Sequence, residues 1–386
     1  MSIDKRHIDR RQLLRRGALG GLGLATLGAL SRGLDAAPAL AREAGAGGLT
    51  PGLISAAKGE GHINLITIPL KDWANYSEIM ALFRSRYSLS IADAIPDGSS
   101  AQEVAAIKNL QGQNRAPDVV DVSPAFAVAG QKQGLYVPYK VAEWETIPSS
   151  MKDPNGYWYG DYYGVPAFLS VNSVVPQAPK DWSDLLSPKL RGKVSLGGDP
   201  RQAGEAFGAV FAAALANGGS LDNIQPGVDF FAQLKKAGNF NPTFALPANV
   251  SKGATPVAIR WDYLLLASRD TYLTSGGPAV TVTVPKTGGY AGYYCQAISK
   301  YAPHPNAAKL WQEFLYTDEV QLLFLKGYTH PARYTDLAAR NKIPASLAAK
   351  LPPSSAYSNV KFATVAQITK AQGVLAEQWG PKVAGA

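Results

Sequence analysis

The chain has 386 residues, 46% hydrophobic and 17% charged, an ordinary globular composition at a length that suits two domains. Its net charge of +9 is uneven: residues 1–42 hold eight Lys/Arg against three Asp, a surplus of five, which leaves a surplus of four for the rest. A mildly basic body without a Lys/Arg run argues against nucleic acid as a partner. The single cysteine, Cys295, excludes an internal disulfide or a cysteine metal cluster and reads as a small buried apolar residue.

The N-terminus carries the most specific signal. Arg10-Arg11-Gln12-Leu13-Leu14-Arg15 resembles the twin-arginine export motif, and an uncharged run rich in Ala, Gly and Leu follows from Gly17 to Leu30. That run is too short to span a bilayer and fits a signal h-region. Ala37-Pro38-Ala39 and Ala39-Leu40-Ala41 are small-x-small cleavage sites. Residues 1–41 are therefore read as a twin-arginine signal peptide, and the mature protein as soluble, exported folded to the periplasm. No cysteine follows the h-region to carry a lipid, and no later apolar run is long enough to cross a membrane.

From Lys58 the pattern alternates strand and helix, the signature of a parallel sheet covered by helices. His62–Ile68 reads as a strand ended by Pro69, and a helix capped by Asn75 or Ser77 carries Ile79, Met80, Leu82 and Phe83 on one side. Between them, Lys71–Tyr76 places Trp73 and Tyr76 at a strand's carboxyl end. A strand over Leu89–Ala94, a helix over Gln102–Asn114 and a strand over Ala116–Pro124 follow. Residues 144–163 read as an aromatic-rich loop. Tyr163–Asn172 is a strand, Trp182–Leu186 a short helix and Lys189–Leu196 a strand running into Gly197-Gly198-Asp199-Pro200. That turn opens the apolar helix Gly204–Ala216. Its backbone N–H groups suit an anion, but Asp199 already supplies a negative charge and reads better as a cap.

Val228–Ala237 reads as a helix. Val257–Ile259 then forms a short apolar strand that ends in Trp261-Asp262-Tyr263, a carboxylate between two aromatics. Open α/β sheets bind ligands at the carboxyl ends of their strands, and an amine between aromatic faces would suit this trio. The same residues also fit a core strand capped by a surface turn. Ala279–Val284 and Tyr290–Ile298 are strands, and Asn306–Leu315 and Thr317–Leu325 are helices. No internal repeat of 20–50 residues is present.

Chemistry-bearing motifs fail on context. Ser149-Ser150-Met151-Lys152, Ser170-Val171-Asn172 and Lys286-Thr287-Gly288 follow the order of penicillin-binding serine hydrolases. Yet Pro148 and Asp153-Pro154-Asn155-Gly156 mark a turn where that nucleophile needs a buried helix. His62, His304 and His330 are the only histidines of the mature chain and lie far apart in sequence. No nucleophile elbow, P-loop or dinucleotide fingerprint exists. The expectation is a binding protein, not an enzyme, without a cofactor or a metal cluster.

Four segments resemble the periplasmic solute-binding proteins of ABC importers, in the group that binds ferric ion, polyamines, thiamine or 2-aminoethylphosphonate. They are Pro117-Asp118-Val119-Val120-Asp121, Tyr163-Gly164-Val165-Pro166 with Val171-Asn172, Trp182 to Val194, and His304 to Leu315. The resemblance spans roughly residues 58–380. It implies a type II α/β fold of two lobes joined by two crossover strands, near Ala167–Asn172 and Val284–Cys295. Lobe 1 would be 58–168 plus 291–386, and lobe 2 would be 169–290. The protein would act as a monomer, close about a hinge and present the loaded form to a membrane permease.

Carried onto this sequence, the pocket would draw on Trp73, Tyr76 and Ser123 from lobe 1, Asp199, Trp261, Asp262 and Tyr263 from lobe 2, and Tyr290 near the second crossover. The ferric-ion binders have an adjacent tyrosine pair where this chain has Trp261-Asp262-Tyr263. Tyr293-Tyr294 is adjacent but falls in a strand, where successive side chains point to opposite faces. A small organic amine paired with Asp262 is the leading expectation, ferric ion the alternative, and an exported serine hydrolase the alternative of another class.

Overall fold

The computed structural model describes residues 47–66, 74–95 and 99–385. The signal segment and Trp73 lie outside these residues. In chain order the first half holds α1 (Pro51–Glu60), β1 (His62–Ile66), α2 (Tyr76–Tyr87), β2 (Ser90–Ala94), α3 (Ser100–Asn109), β3 (Val119–Val122), α4 (Pro124–Lys132), β4 (Tyr136–Val137), β5 (Tyr159–Gly164) and β6 (Pro166–Val171). Next come β7 (Val194–Leu196), α5 (Gly204–Ala216), α6 (Gln225–Lys236), α7 (Pro247–Ser251), β8 (Val257–Trp261), α8 (Asp262–Ser275), β9 (Val280–Thr283) and β10 (Tyr290–Ser299). The last part holds α9 (Pro305–Leu315), α10 (Asp318–Lys326), β11 (His330–Pro331), α11 (Tyr334–Ala339), α12 (Ala345–Ala348), β12 (Lys361–Phe362) and α13 (Val365–Trp379). Among the described residues no helix is long and apolar enough to cross a membrane.

Local chemistry sets the helix ends. Thr50 accepts from the Leu53 N–H to start α1, and Gly61 stops it in the left-handed region. Ser99 with Gln102 and Thr364 with Gln367 form reciprocal capping boxes that fix the starts of α3 and α13.

Three sheets, a two-stranded and a six-stranded one on the first side and a four-stranded one on the second, organise the two main cores. In the first, β1 and β2 pair in parallel, and the Asp118 N–H donates to Asn64 O at 2.9 Å to bring β3 beside β1. The long strand β10 is antiparallel to β3 and β5 and also carries β4 and β12, while β11 adds to the far side of β5. In the second, the order is β7-β8-β6-β9, with β7 parallel to β8 and β6 antiparallel to both its neighbours. The first core draws on residues 57–165 and 291–357, and the second on 168–290. The C-terminal segment joins the second core: Ala363, Ala371, Leu375, Trp379 and Val383 pack there although they follow the return to the first sheet.

Three sequence expectations change. Residues 159–164 are a strand with every residue buried, so no polar alternation marks it in the sequence. Ser123 leads straight into α4, because Pro124 occupies the first helical position. The first crossing falls at Val165, between β5 of one sheet and β6 of the other, since Pro166–Val171 pairs wholly within the second sheet. The second crossing is the stretch between β9 and β10. Cys295 is buried, as its type suggested.

Candidate functional site

The Trp261-Asp262-Tyr263 trio packs onto the crossing strands. Gly164 of β5 and Gly292 of β10 are ladder partners, and each is covered by one aromatic of the trio. Tyr263 lies against Gly164, and a Cβ built on Gly292 would sit 2.5 Å from Trp261. Tyr290 continues the stack: its ring lies 6.5 Å from Trp261 at 18° and 4.7 Å from Phe211 at 5°. Asp262 is fully buried at the first position of α8. Its Oδ1 accepts from the Val165 N–H at 3.0 Å, and its Oδ2 accepts from the Tyr357 hydroxyl at 3.0 Å.

Burial lifts the Asp262 carboxyl to about 7, against the lowering effect of the Val165 N–H and the Tyr357 hydroxyl. His330 Nδ1 lies 3.7 Å away, beyond hydrogen-bond length, and burial lowers this imidazole to about 3. Asp262 therefore stands at the crossing with both oxygens engaged, where it ties Val165 and the start of α8 to Tyr357.

A second set of buried acids lies in the first core: Asp121 within β3, Asp161 within β5 and Glu103 on α3. The Tyr76 hydroxyl, at the start of α2, donates to Asp161 Oδ2 at 2.6 Å and lies 3.4 Å from Asp121 Oδ2. Gln296 Nε2 donates to Asp161 Oδ2 at 3.0 Å and to the Tyr76 oxygen at 3.2 Å. The Asp121 N–H donates to Glu103 Oε2 at 2.8 Å. Asp121 Oδ1, Glu103 Oε1 and Gln296 Oε1 have no hydrogen-bond partner. Burial raises the carboxyls of Asp121 and Glu103 well above their usual range, and Asp161 adds repulsion to both. Tyr162 neighbours Tyr76 and Tyr294, with ring centroids 6.3 and 6.0 Å away, and reaches Tyr263 of α8 at 6.3 Å. Tyr294 is half-buried.

The remaining expected residues are dispersed. Ser123 precedes α4, where its own N–H donates to Ser100 Oγ at 3.0 Å. Asp199 holds Arg201 at 2.6 Å and accepts from its N–H, which closes the turn before α5. Next to that turn, Arg260 of β8 grips Glu205 through two bonds of 2.7 and 3.0 Å. The three hydrolase-like motifs do not meet: Lys152 Nζ donates to Trp144 O, and Thr287 binds Asp181. A surface depression of about 610 Å³ beside α4 and β4, lined by Lys132, Tyr157 and Lys300 among others, shares no residue with the acid set.

Sequence reasoning passed over Glu103, Asp121, Asp161 and Gln296. The available signal was a carboxylate inside an otherwise apolar or aromatic strand, as in Val119-Val120-Asp121-Val122 and Tyr159-Gly160-Asp161-Tyr162.

Residues 114–360 match the family model of the bacterial extracellular solute-binding proteins, and the chain belongs to that family. It is 24% identical over 274 residues to Iron uptake protein A2 of Synechocystis sp., across 68% of this chain and 76% of that protein. An ABC transporter substrate-binding protein of Bradyrhizobium japonicum has the same fold, with a TM-score of 0.65 and 17% identity over 83% of this chain and 99% of that one. A Listeria monocytogenes protein assigned to spermidine/putrescine ABC transport superposes with a TM-score of 0.56 and 12% identity, over 82% of this chain and 98% of the other. The fold is thus that of the two-lobe type II periplasmic binding proteins.

Proposed function

We propose that this periplasmic protein captures a small organic amine between its lobes and hands it to an ABC permease in the inner membrane. The observation behind the amine is the acid set of lobe 1: Glu103, Asp121 and Asp161 are buried near one another, and among the described residues no Lys or Arg acts on Asp121 or Glu103. An ammonium supplies both the charge and the N–H donors that the partnerless oxygens lack. Tyr162, Tyr263 and Tyr294 would form the aromatic wall, with Trp73 and Ser123 completing the lobe 1 side and Asp199 the lobe 2 side. Trp261, Asp262 and Tyr290 would serve the site by fixing the crossing strands. The lobes divide at Val165 and between β9 and β10, with α13 riding on lobe 2. Residues 1–41 direct twin-arginine export, and the mature chain works as a monomer that neither binds nucleic acid nor catalyses a reaction.

Ferric ion is the second reading, favoured by the convergence of Tyr76, Tyr162, Tyr263 and Tyr294 and by the iron-uptake relative. Among the described residues no three His, Cys, Asp or Glu side chains could hold a metal together, so this reading rests on phenolates. A thermal-shift series with putrescine, spermidine and ferric citrate separates the two. Stabilisation by an amine supports the first; a coloured, iron-stabilised protein indifferent to amines supports the second.

A further inference from the structure

We infer that Tyr328 and Asp270 form a clasp between the lobes, which holds them at a set angle and must yield before they turn about the crossing. It acts whatever solute the protein takes.

Tyr328 belongs to the first core by its place in the chain and to the second by its side chain. It sits between α10, whose Phe324 packs in the first core, and β11, whose His330 pairs with Tyr163 of β5. Its backbone is fixed there: the Tyr328 N–H donates to Leu325 O at 3.0 Å, and the Thr329 hydroxyl donates to Phe324 O at 3.0 Å. Gly327, just before, backs onto the start of α2, where a built Cβ would meet Asn75 N at 2.7 Å. The Tyr328 side chain nevertheless packs against the second core. Its hydroxyl donates to Asp270 Oδ2 of α8. Arg269 places its guanidinium 6.0 Å from the centre of the same ring, and its Nε donates to Asp270 Oδ1 at 2.8 Å. Burial acts to raise the Asp270 carboxyl, but the Tyr328 hydroxyl, Arg269 and Lys350 outweigh it and hold the group below its usual range. Asp270 is thus a carboxylate near neutral pH, and the bond from Tyr328 is charge-assisted.

Two features set this contact apart from ordinary packing. The first is backbone strain: Tyr328 has a φ of 71°, in the left-handed region that a bulky side chain seldom adopts. Such a conformation persists where the surroundings enforce it, and here they come from both cores. The second is leverage. Asp262 clamps the crossing at Val165 from the first position of α8, and Asp270 lies about 12 Å further along that helix. A hydrogen bond at the pivot survives rotation. A turn of about 10° across α8 moves Asp270 by roughly 2 Å, which breaks its bond to Tyr328.

The test is an interlobe distance, read by double electron–electron resonance on the ligand-free protein. Spin labels are attached through Lys108→Cys on α3 and Lys236→Cys on α6, both at exposed positions. Cys295 is buried and stays unlabelled. Tyr328→Phe keeps the ring and removes the bond, and Asp270→Ala removes the acceptor. Each should shift or broaden the distance distribution, because one charge-assisted hydrogen bond biases two arrangements about tenfold. The double variant should change it no further than either single one, since both break the same bond. Asp270→Asn keeps an oxygen for the hydroxyl and should stay close to the wild type. A wild-type distribution in both Tyr328→Phe and Asp270→Ala overturns the clasp, even where their melting temperatures fall.

Discussion

Asp262 and Val165 hold each other twice: the Val165 N–H donates to Asp262 Oδ1 at 3.0 Å, and the Asp262 N–H donates to Val165 O at 2.8 Å. Val165 is the residue at which the chain passes from one sheet to the other. The side chain that the sequence offers as a ligand for a cation is thus the clamp on the crossing.

Asp262→Ala leaves the Val165 N–H and the Tyr357 hydroxyl without an acceptor inside the protein. The expected loss of unfolding free energy is about 2–4 kcal/mol, from two buried donors at about 1–3 kcal/mol each with partial relaxation. Asp262→Asn, which keeps an oxygen for Val165, should lose less. Urea unfolding of the ligand-free protein reads both. A wild-type midpoint for the alanine variant would contradict the clamp.

The pH dependence of stability carries two opposed contributions from this crossing. Asp262 has a raised folded value of about 7 against an unfolded value of about 4, so the native state binds more protons between them and stability falls as pH rises through that window. His330 is lowered to about 3 against about 6.5 unfolded, so the unfolded state binds more protons between those values and stability rises with pH there. Asp262→Asn removes only the first contribution. Its stability should climb more steeply than the wild type's between pH 4 and 7 in parallel denaturant titrations; equal slopes would be contrary to the assigned burial.

Glycines separate close approach from open space. A Cβ on Gly292 would meet the rigid Trp261 ring at 2.5 Å, so Gly292→Ala should cost about 1–3 kcal/mol through overpacking. Gly373, inside α13, has nothing within 4 Å of a built Cβ, and Gly373→Ala should stabilise by about 0.5–1 kcal/mol. Melting temperatures of the two variants should move in opposite directions.

Much of the fold was legible in the sequence, because β1, β3, β8 and β9 announce themselves by apolar runs or alternation, and α9 and α10 by their periodicity. The family was legible in four short segments that hold turns and helix starts. β5 was hidden because burial on both faces erases alternation, and its tyrosines read as a loop. The acid set was hidden for another reason: Glu103, Asp121, Asp161 and Gln296 come from four elements that only the tertiary fold brings together. Asp262 was conspicuous because two aromatics flank it, and that prominence reflects the packing of Trp261 and Tyr263 on a pair of glycines.

Asp121→Asn reports on the solute directly, since Asp121 Oδ1 has no hydrogen-bond donor among the described residues. If the solute is an amine, this variant should bind it more weakly by about 2–5 kcal/mol, the usual effect of truncating one partner of a buried charge pair. Asp262→Asn should leave affinity nearly unchanged. Calorimetry on both variants reads the difference, and the reverse pattern would restore Asp262 as the solute's partner.

The central claim, a receptor for a small cationic amine, is tested most directly by the melting temperature of the mature protein titrated with spermidine. The account predicts a rise that continues with concentration above Kd, worth about 2.7 kcal/mol at a hundredfold excess over Kd. No shift with spermidine or putrescine, together with a rise and a visible colour on adding ferric citrate, would contradict it.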